Sequence, residues 1–317
     1  MPQTEHRRRF LAIGVTLACL AGAGAVAGRV VTAEETEHSA RASSAADTSW
    51  LGRPASAAEV GSRLAALERR RGARVGVMAI DTGTGERIAY RSDERFAMAS
   101  TVKVLLAGTV LDRLSTAQVE QRIFWSEADL VPYSPVTEIF VDDGMTVRQL
   151  LDAALTMSDN TATNLLFDLV GGPRAVDDWL KQMGDTVTSV DRVEPDLNDW
   201  RPGDTRDTST PSALADVMRD LTLGGALTGA DRWLLNDELG DSLTGARLVR
   251  AGVPASWRVG DKSGSASYGT RNDVAVVHPP GRDPWVVVVL TSHDTADADT
   301  DDGLVAQATR ILVDHWS

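Results

Sequence analysis

Ser100 and Lys103 stand three residues apart in Ser100-Thr101-Val102-Lys103. On one helical turn that spacing brings the lysine ammonium toward the serine hydroxyl. A serine at its ordinary pKa is a weak nucleophile and needs a neighbouring base. Lysine can be that base when burial or a second cation lowers its pKa, whereas arginine stays charged at any working pH. The chain has 32 basic residues, and only three are lysine: Lys103, Lys181 and Lys262. A lysine kept against such an arginine background suggests a place where guanidinium does not serve. Met98 before Lys103 and Val104-Leu105-Leu106 after it put this lysine in apolar surroundings. Lys262, in Asp261-Lys262-Ser263-Gly264, could supply the second positive charge. A third polar cluster is Ser158-Asp159-Asn160. Ser158 could pass a proton to a leaving amine, and Asn160 could bind an amide of the substrate. Asp159 reads better as a helix N-cap. Gly264 on a strand would let a ligand approach closely. Taken singly, each motif is also explained by a capping serine, a surface lysine or an edge-strand turn. Together they describe a serine nucleophile activated without histidine.

Other chemistries are poorly served. The only cysteine, Cys19, lies in a leader-like segment, so the rest of the chain has no disulfide, thiolate metal site or cysteine nucleophile. Beyond residue 40 the histidines are His278, His293 and His315, none at metal-ligand spacing. No metal and no cofactor is expected. The formal net charge of −13 repels nucleic acid and anionic membranes, which makes both poor partners. A composition of 43% hydrophobic and 24% charged residues is that of a globular protein.

The elements that must position these residues follow from pattern. Arg7-Arg8-Arg9-Phe10-Leu11 precedes an uncharged stretch rich in Gly and Ala. Residues 1–30 therefore read as a secretory signal that resembles the twin-arginine type. Export to a periplasm or the medium is expected, with no stable membrane association once the leader is removed. Residues 31–55 read as a flexible linker. A domain then runs over 56–317. Ser56 with Glu59 makes a capping box ahead of a helix. Residues 74–80 and 87–91 read as a hairpin, 101–114 as a helix, and Thr146 with Gln149 as another capping box. Helices follow over 160–170 and from Pro173 to Gly184, and again from Pro211. Residues 189–210 show no period, and a loop that long inside a compact domain is usually functional. Strands are expected over 256–262, 270–277 and 285–291. Val286 to Leu290 is apolar on both faces, as in a central strand. A closing helix carries Leu304, Ala308, Ile311 and Leu312. The expected fold is α/β (α+β) with two lobes. Both chain ends, about 56–96 and 244–317, build an antiparallel sheet flanked by helices. An all-α lobe, about 97–243, is inserted, and the active site lies at the seam.

The long loop contains Arg192-Val193-Glu194-Pro195-Asp196-Leu197-Asn198. With S-x-x-K, S-D-N and K-[ST]-G in this order, the chain resembles a class A serine β-lactamase, whose signature these triplets are. The resemblance covers about residues 56–317. Tyr133-Ser134-Pro135-Val136-Thr137 and Asp143-Gly144-Met145-Thr146-Val147 add to it, and Ser263 stands where threonine is frequent. It implies that Ser100 attacks a β-lactam carbonyl and forms an acyl-enzyme, with the Ser100 and Ser265 backbone N–H groups as oxyanion hole. Lys103 and Glu194 would share proton removal, which of them being the acylation base left open. Glu194 with Asn198 would activate the deacylating water, and Ser158 would protonate the ring nitrogen. Lys262, Ser263 and Arg271 would face the substrate carboxylate, Gly264 would sit beside them, and Tyr133 would line the entrance. Arg192 and Asp207 would pair at the neck of the loop. The implied ligand is a small β-lactam and the implied state a monomer. A penicillin-binding D,D-peptidase, a non-hydrolytic β-lactam sensor and a serine glutaminase remain as alternatives, and Glu194 speaks against the first two.

Overall fold

The computed structural model describes residues 56–316. The leader read over 1–30 and the linker over 31–55 lie outside the described residues. The chain opens with α1 (Ala57–Arg71), β1 (Arg74–Asp81), β2 (Arg87–Tyr90) and β3 (Phe96–Ala97). The middle contains α2 (Val102–Arg113), α3 (Thr116–Val119), β4 (Arg122–Ile123), β5 (Met145–Thr146), α4 (Val147–Thr156), α5 (Asn160–Val170) and α6 (Pro173–Gln182). Then come β6 (Thr208–Ser209), α7 (Pro211–Thr222), α8 (Gly229–Gly240) and α9 (Val249–Gly252). The chain closes with β7 (Arg258–Ala266), β8 (Thr270–His278), β9 (Trp285–Ser292) and α10 (Asp302–Trp316).

The two chain ends do build one sheet, in the order β2-β1-β9-β8-β7, antiparallel throughout. β9 is central because its residues are apolar on both faces. Val287 and Val289 point to the side covered by α1, α9 and α10, while Val286, Val288 and Leu290 point to the side covered by the helical lobe. β1 splits the same way, with Val75, Val77 and Ala79 on one face and Met78 and Ile80 on the other. This period-two alternation gives the sheet a core on each side.

Local signals set the helix starts. Ser56 and Glu59 form the expected capping box on α1, and Thr146 and Gln149 form one on α4. Pro173 and Pro211 occupy the first helical positions of α6 and α7. α2 is buried at every position from Val102 to Leu111, so it is the central helix of its lobe and not an amphipathic one. The sequence pattern does not predict α8. Thr228 caps it by accepting from the Asp231 N–H, but only Leu234, Leu235 and Leu239 are buried, too few to set a clear period. Strand β7 also runs on to Ala266, past the expected end at Lys262, because its pairing with β8 continues to Ala266–Thr270.

The segment 189–209 is tied at both ends. β6 pairs with β3, and Arg192 closes the neck on the buried Asp207. Asp207 accepts from the Asp191 and Arg192 N–H groups at 2.9 and 3.0 Å and from Arg192 Nε at 2.6 Å. Removing that carboxylate leaves two N–H groups without this partner and the largely buried guanidinium with the Asp199 carbonyl, at 2.9 Å, but no counter-charge from Asp207. Such losses cost about 3–5 kcal/mol. Asp207→Ala should lower the urea midpoint by a corresponding amount and should make the 189–209 segment the first site cut by protease. An unchanged midpoint and an uncut loop would show that the neck is held by something else.

Candidate active site

The nucleophile candidate does not sit in the α-helix itself. Ser100 lies in a 3-10 turn, Ala99–Thr101, that leads into α2. Ala99 has a left-handed backbone, with φ of 49°, a conformation an L-residue holds only when its surroundings over-determine it. Those surroundings are polar and local to the fold. Asn272 on β8 donates from Nδ2 to the carbonyls of Ala97 and Met98 at 2.7 and 3.2 Å, and its Oδ1 accepts from the Thr291 N–H at 3.0 Å. Gly264 on β7 completes the cradle. A Cβ there would lie 2.8 Å from the Met98 carbonyl oxygen and 3.1 Å from the Ser100 nitrogen. The close approach read at this glycine is thus already occupied by the serine's own turn.

Lys103 is 1% exposed and Lys262 is fully buried. They come from different lobes, α2 and β7, and meet at one atom: Ser158 Oγ lies 3.1 Å from Lys103 Nζ and 3.0 Å from Lys262 Nζ. Ser158 takes a left-handed backbone, with φ of 58°, at the junction of α4 and α5. The next residue, Asp159, is the N-cap of α5, as read from sequence, and its carboxylate also accepts from Val136 and Thr137 N–H and from the Thr137 hydroxyl. Lys103 Nζ further reaches the Ser158 carbonyl and Asn160 Oδ1, each at 2.7 Å, and Glu194 Oε1 at 3.0 Å. Lys262 Nζ also donates to the Ser263 carbonyl at 2.9 Å. Burial pushes the Lys103 ammonium below its ordinary lysine value, against the pull of the Glu194 carboxylate. Burial, with the Lys103 charge second, brings Lys262 down to about 7.

Glu194 is 2% exposed and is held by its backbone and its side chain. Asn164 on α5 grips the backbone in both directions, accepting from the Glu194 N–H at 2.9 Å and donating to its carbonyl at 2.8 Å. Asn198 Nδ2 donates to Oε2 at 2.5 Å. Oε1 faces Ser100, whose hydroxyl lies 3.3 Å away. This differs from the direct lysine–serine contact expected from the helical spacing. Among the described residues the hydroxyl's hydrogen-bond partner is Glu194, and Lys103 reaches the hydroxyl through that carboxylate. The 3-10 turn changes the direction of the serine side chain relative to an α-helical position.

Above these buried groups opens a crevice of about 310 Å³. Ser100, Ser158, Asn160, Asn198, Ser263, Gly264, Ser265, Arg271 and Tyr133 all line it, and Tyr133 is 60% exposed at its mouth. Asn160 also holds the scaffold together, since Oδ1 takes the Lys103 ammonium and Nδ2 donates to the Pro132 carbonyl. Arg271 donates to Ser265 Oγ at 2.9 Å and pairs with Asp302 at 2.6 Å. A larger hollow of about 620 Å³ between α8 and β7 holds none of the nucleophile, lysine or Glu194 side chains, so volume alone would misplace the site. Among the described residues no group of three His, Cys, Asp or Glu side chains is arranged to hold a metal.

Four contributors were not read from sequence. Asn164 follows Asn160 by four positions on one helix, and that spacing could have shown that it shares the face. Asn272 is a polar residue inside an otherwise apolar strand, which is a weaker signal. Thr244 lines the crevice and accepts from Ser263 Oγ at 2.8 Å. Thr244 and Asp302 have no local signal.

The model of the β-lactamase enzyme family matches residues 59–316. A β-lactamase of Nocardia asteroides is 52% identical over 254 residues, covering 80% of this chain and 82% of that protein. A β-lactamase of Amycolatopsis lactamdurans is 51% identical over 247 residues, 78% of this chain and 82% of that one. Among solved structures, the class A β-lactamase of Clostridium kluyveri superposes with a TM-score of 0.81 at 43% identity, over 82% of this chain and 99% of that chain. A reconstructed ancestral class A enzyme gives 0.78 at 52% identity, over 80% and 98%. Sequence likeness at this level and superposition along nearly the full length of solved relatives lead to one conclusion: the chain belongs to the β-lactamase enzyme family and has the class A architecture.

Proposed function

We propose that this chain hydrolyses the β-lactam amide of penicillins and cephalosporins through a serine acyl-enzyme, and so confers antibiotic resistance. The carrying observation is that Glu194 Oε1 lies within reach of both Ser100 Oγ, at 3.3 Å, and Lys103 Nζ, at 3.0 Å, beneath an open crevice. Ser100 Oγ attacks the ring carbonyl, and its proton goes to the Glu194–Lys103 pair. The oxyanion is received by the Ser100 and Ser265 N–H groups. Preorganised donors of this kind are worth ~10²–10³ in rate. When the C–N bond breaks, Ser158 gives its hydroxyl proton to the ring nitrogen. Its contacts with two buried ammonium groups support that role, because either can replace the proton. Glu194 then takes a proton from the water that attacks the ester. Asn198 orients that water and the carboxylate together. Lys262, Ser263 and Arg271 hold the substrate carboxylate, the arginine by two parallel N–H bonds.

The leader-like residues 1–30 support export, along a route resembling the twin-arginine one, and a monomer is proposed. Among the described residues no helix is long and apolar enough to cross a membrane.

A chromogenic cephalosporin should be turned over continuously by the wild-type protein. Ser100→Ala should lose about 10³-fold or more in kcat/KM, and hydrolysis at the wild-type rate would remove the serine from the mechanism. Glu194→Ala should still react with benzylpenicillin but release product ~10²–10⁴-fold more slowly. Mass spectrometry should then find a persistent adduct of one penicillin per chain; a variant that turns over without accumulating one contradicts the deacylation role.

The Lys262 charge sets a pH dependence. Substrate carboxylate needs the ammonium form, and in the free protein that form is lost as pH rises through about 7. kcat/KM should therefore decline above that pH, with KM carrying most of the change. Stability should move the other way. The unfolded lysine keeps its proton up to 10.5, so between about 7 and 10.5 the unfolded chain binds more protons and the folded state gains. A kcat/KM profile flat to pH 9 would show that Lys262 stays charged.

A further inference from the structure

The segment between α8 and α9 runs along the edge of the crevice and is fixed by two buried carboxylates of the sheet. Asp261 on β7 accepts from Ser242 Oγ at 3.2 Å and from Arg250 Nε. Asp273 on β8 accepts from the Val249 N–H at 3.0 Å. Gly245 is pressed against Asp261, where a Cβ would fall 1.7 Å from Oδ2. Between these anchors the chain turns, with the Leu248 N–H bonded to the Gly245 carbonyl at 3.0 Å. Thr244 faces the crevice on one side of the turn, and its carbonyl accepts from Arg271 at 3.4 Å. Arg247 stands on the exposed side, with its side chain 82% exposed. One carboxylate joins it to the site. Asp302 gives Oδ1 to Arg271 Nε at 2.6 Å and Oδ2 to Arg247 Nε at 3.1 Å. Two guanidinium groups therefore stand side by side, one lining the crevice and one at its rim.

We infer that Arg247 is a specificity-determining residue that receives an anionic substituent carried on the ring carbon next to the one bearing the substrate's carboxylate. The inference rests on the proposed β-lactam hydrolysis. Cephalosporins place a variable substituent on that carbon, and penicillins place two uncharged methyl groups near it. With the substrate carboxylate on Arg271, a charged group a few bonds further on comes within reach of the neighbouring guanidinium. The local charge fits: two guanidinium groups, Arg271 and Arg247, share the single carboxylate of Asp302, which leaves a positive charge unmatched beside the crevice. On a chain of formal charge −13 this rim is a local exception that would draw a dianion in.

The test compares two cephalosporins with the same acyl side chain, one with a sulfonate-bearing substituent at this carbon and one with a neutral substituent of similar size. The readout is the ratio of their kcat/KM values. The ratio removes any general change caused by freeing Asp302 to act on Arg271 alone. Arg247→Ala should lower the anionic-to-neutral ratio by about two- to fivefold at low salt, the size expected of an exposed charge pair. Arg247→Lys should keep it, and the wild-type preference should shrink as salt is raised. A ratio unchanged in Arg247→Ala, with both substrates turned over, overturns the role of Arg247 and leaves the hydrolase reading standing. Failure of the wild-type protein to hydrolyse either cephalosporin brings down both.

Discussion

Two ammonium groups are held out of water within reach of one hydroxyl, and the rest of the site is arranged around that cost. Desolvation disfavours the charged form of each, and the proximity of Lys103 lowers Lys262 further. A buried amine that is nearly neutral can accept a proton, and one that is charged can replace it. The fold supports this by giving both ammonium groups hydrogen-bond acceptors. Lys103 reaches Ser158, Asn160 and Glu194, and Lys262 reaches Ser158 and its neighbour's carbonyl. Each lobe carries one of the two buried lysines, so they come together only where α2 and β7 meet.

Glu194 is supplied by the least regular part of the chain. The segment 189–209 has little secondary structure, yet the Glu194 carboxylate is well fixed. Asn164 clamps the Glu194 backbone from the helical lobe, Arg192 and Asp207 close the neck, and the Asn198 carbonyl accepts from Ser267 Oγ at 2.7 Å at the end of β7. A loop anchored at its neck, its middle and its far side can hold a side chain with the precision of a helix.

The architecture was legible in the sequence because its signals are local. Capping boxes, prolines at helix starts and a strand apolar on both faces each depend on neighbours within a few residues. The sheet followed from the order of these elements. The crevice was legible through the triplets and the loop glutamate. Contacts between distant segments were not. Asn272 supports the serine turn through a carbonyl 175 positions away, and nothing near Asn272 marks that partner. The same holds for Asp302, 31 positions from Arg271. The left-handed Ala99 redirects Ser100 toward Glu194 and away from a direct lysine contact, a change of backbone angle that residue spacing does not encode. α8 escaped because its buried face is narrow.

The protonation of the lysines is open to direct observation, since the chain has only three. Lysine labelled with ¹³C at the ε position gives one resonance per residue, assignable by replacing Lys181, which lies on the surface against Asp177. Followed from pH 5 to 12, the Lys181 signal should titrate above the ordinary lysine value of 10.5, Lys103 below it, and Lys262 near 7. Three signals that all titrate together near the ordinary value would mean that the two ammonium groups are not desolvated, and the account of proton transfer built on them would fail.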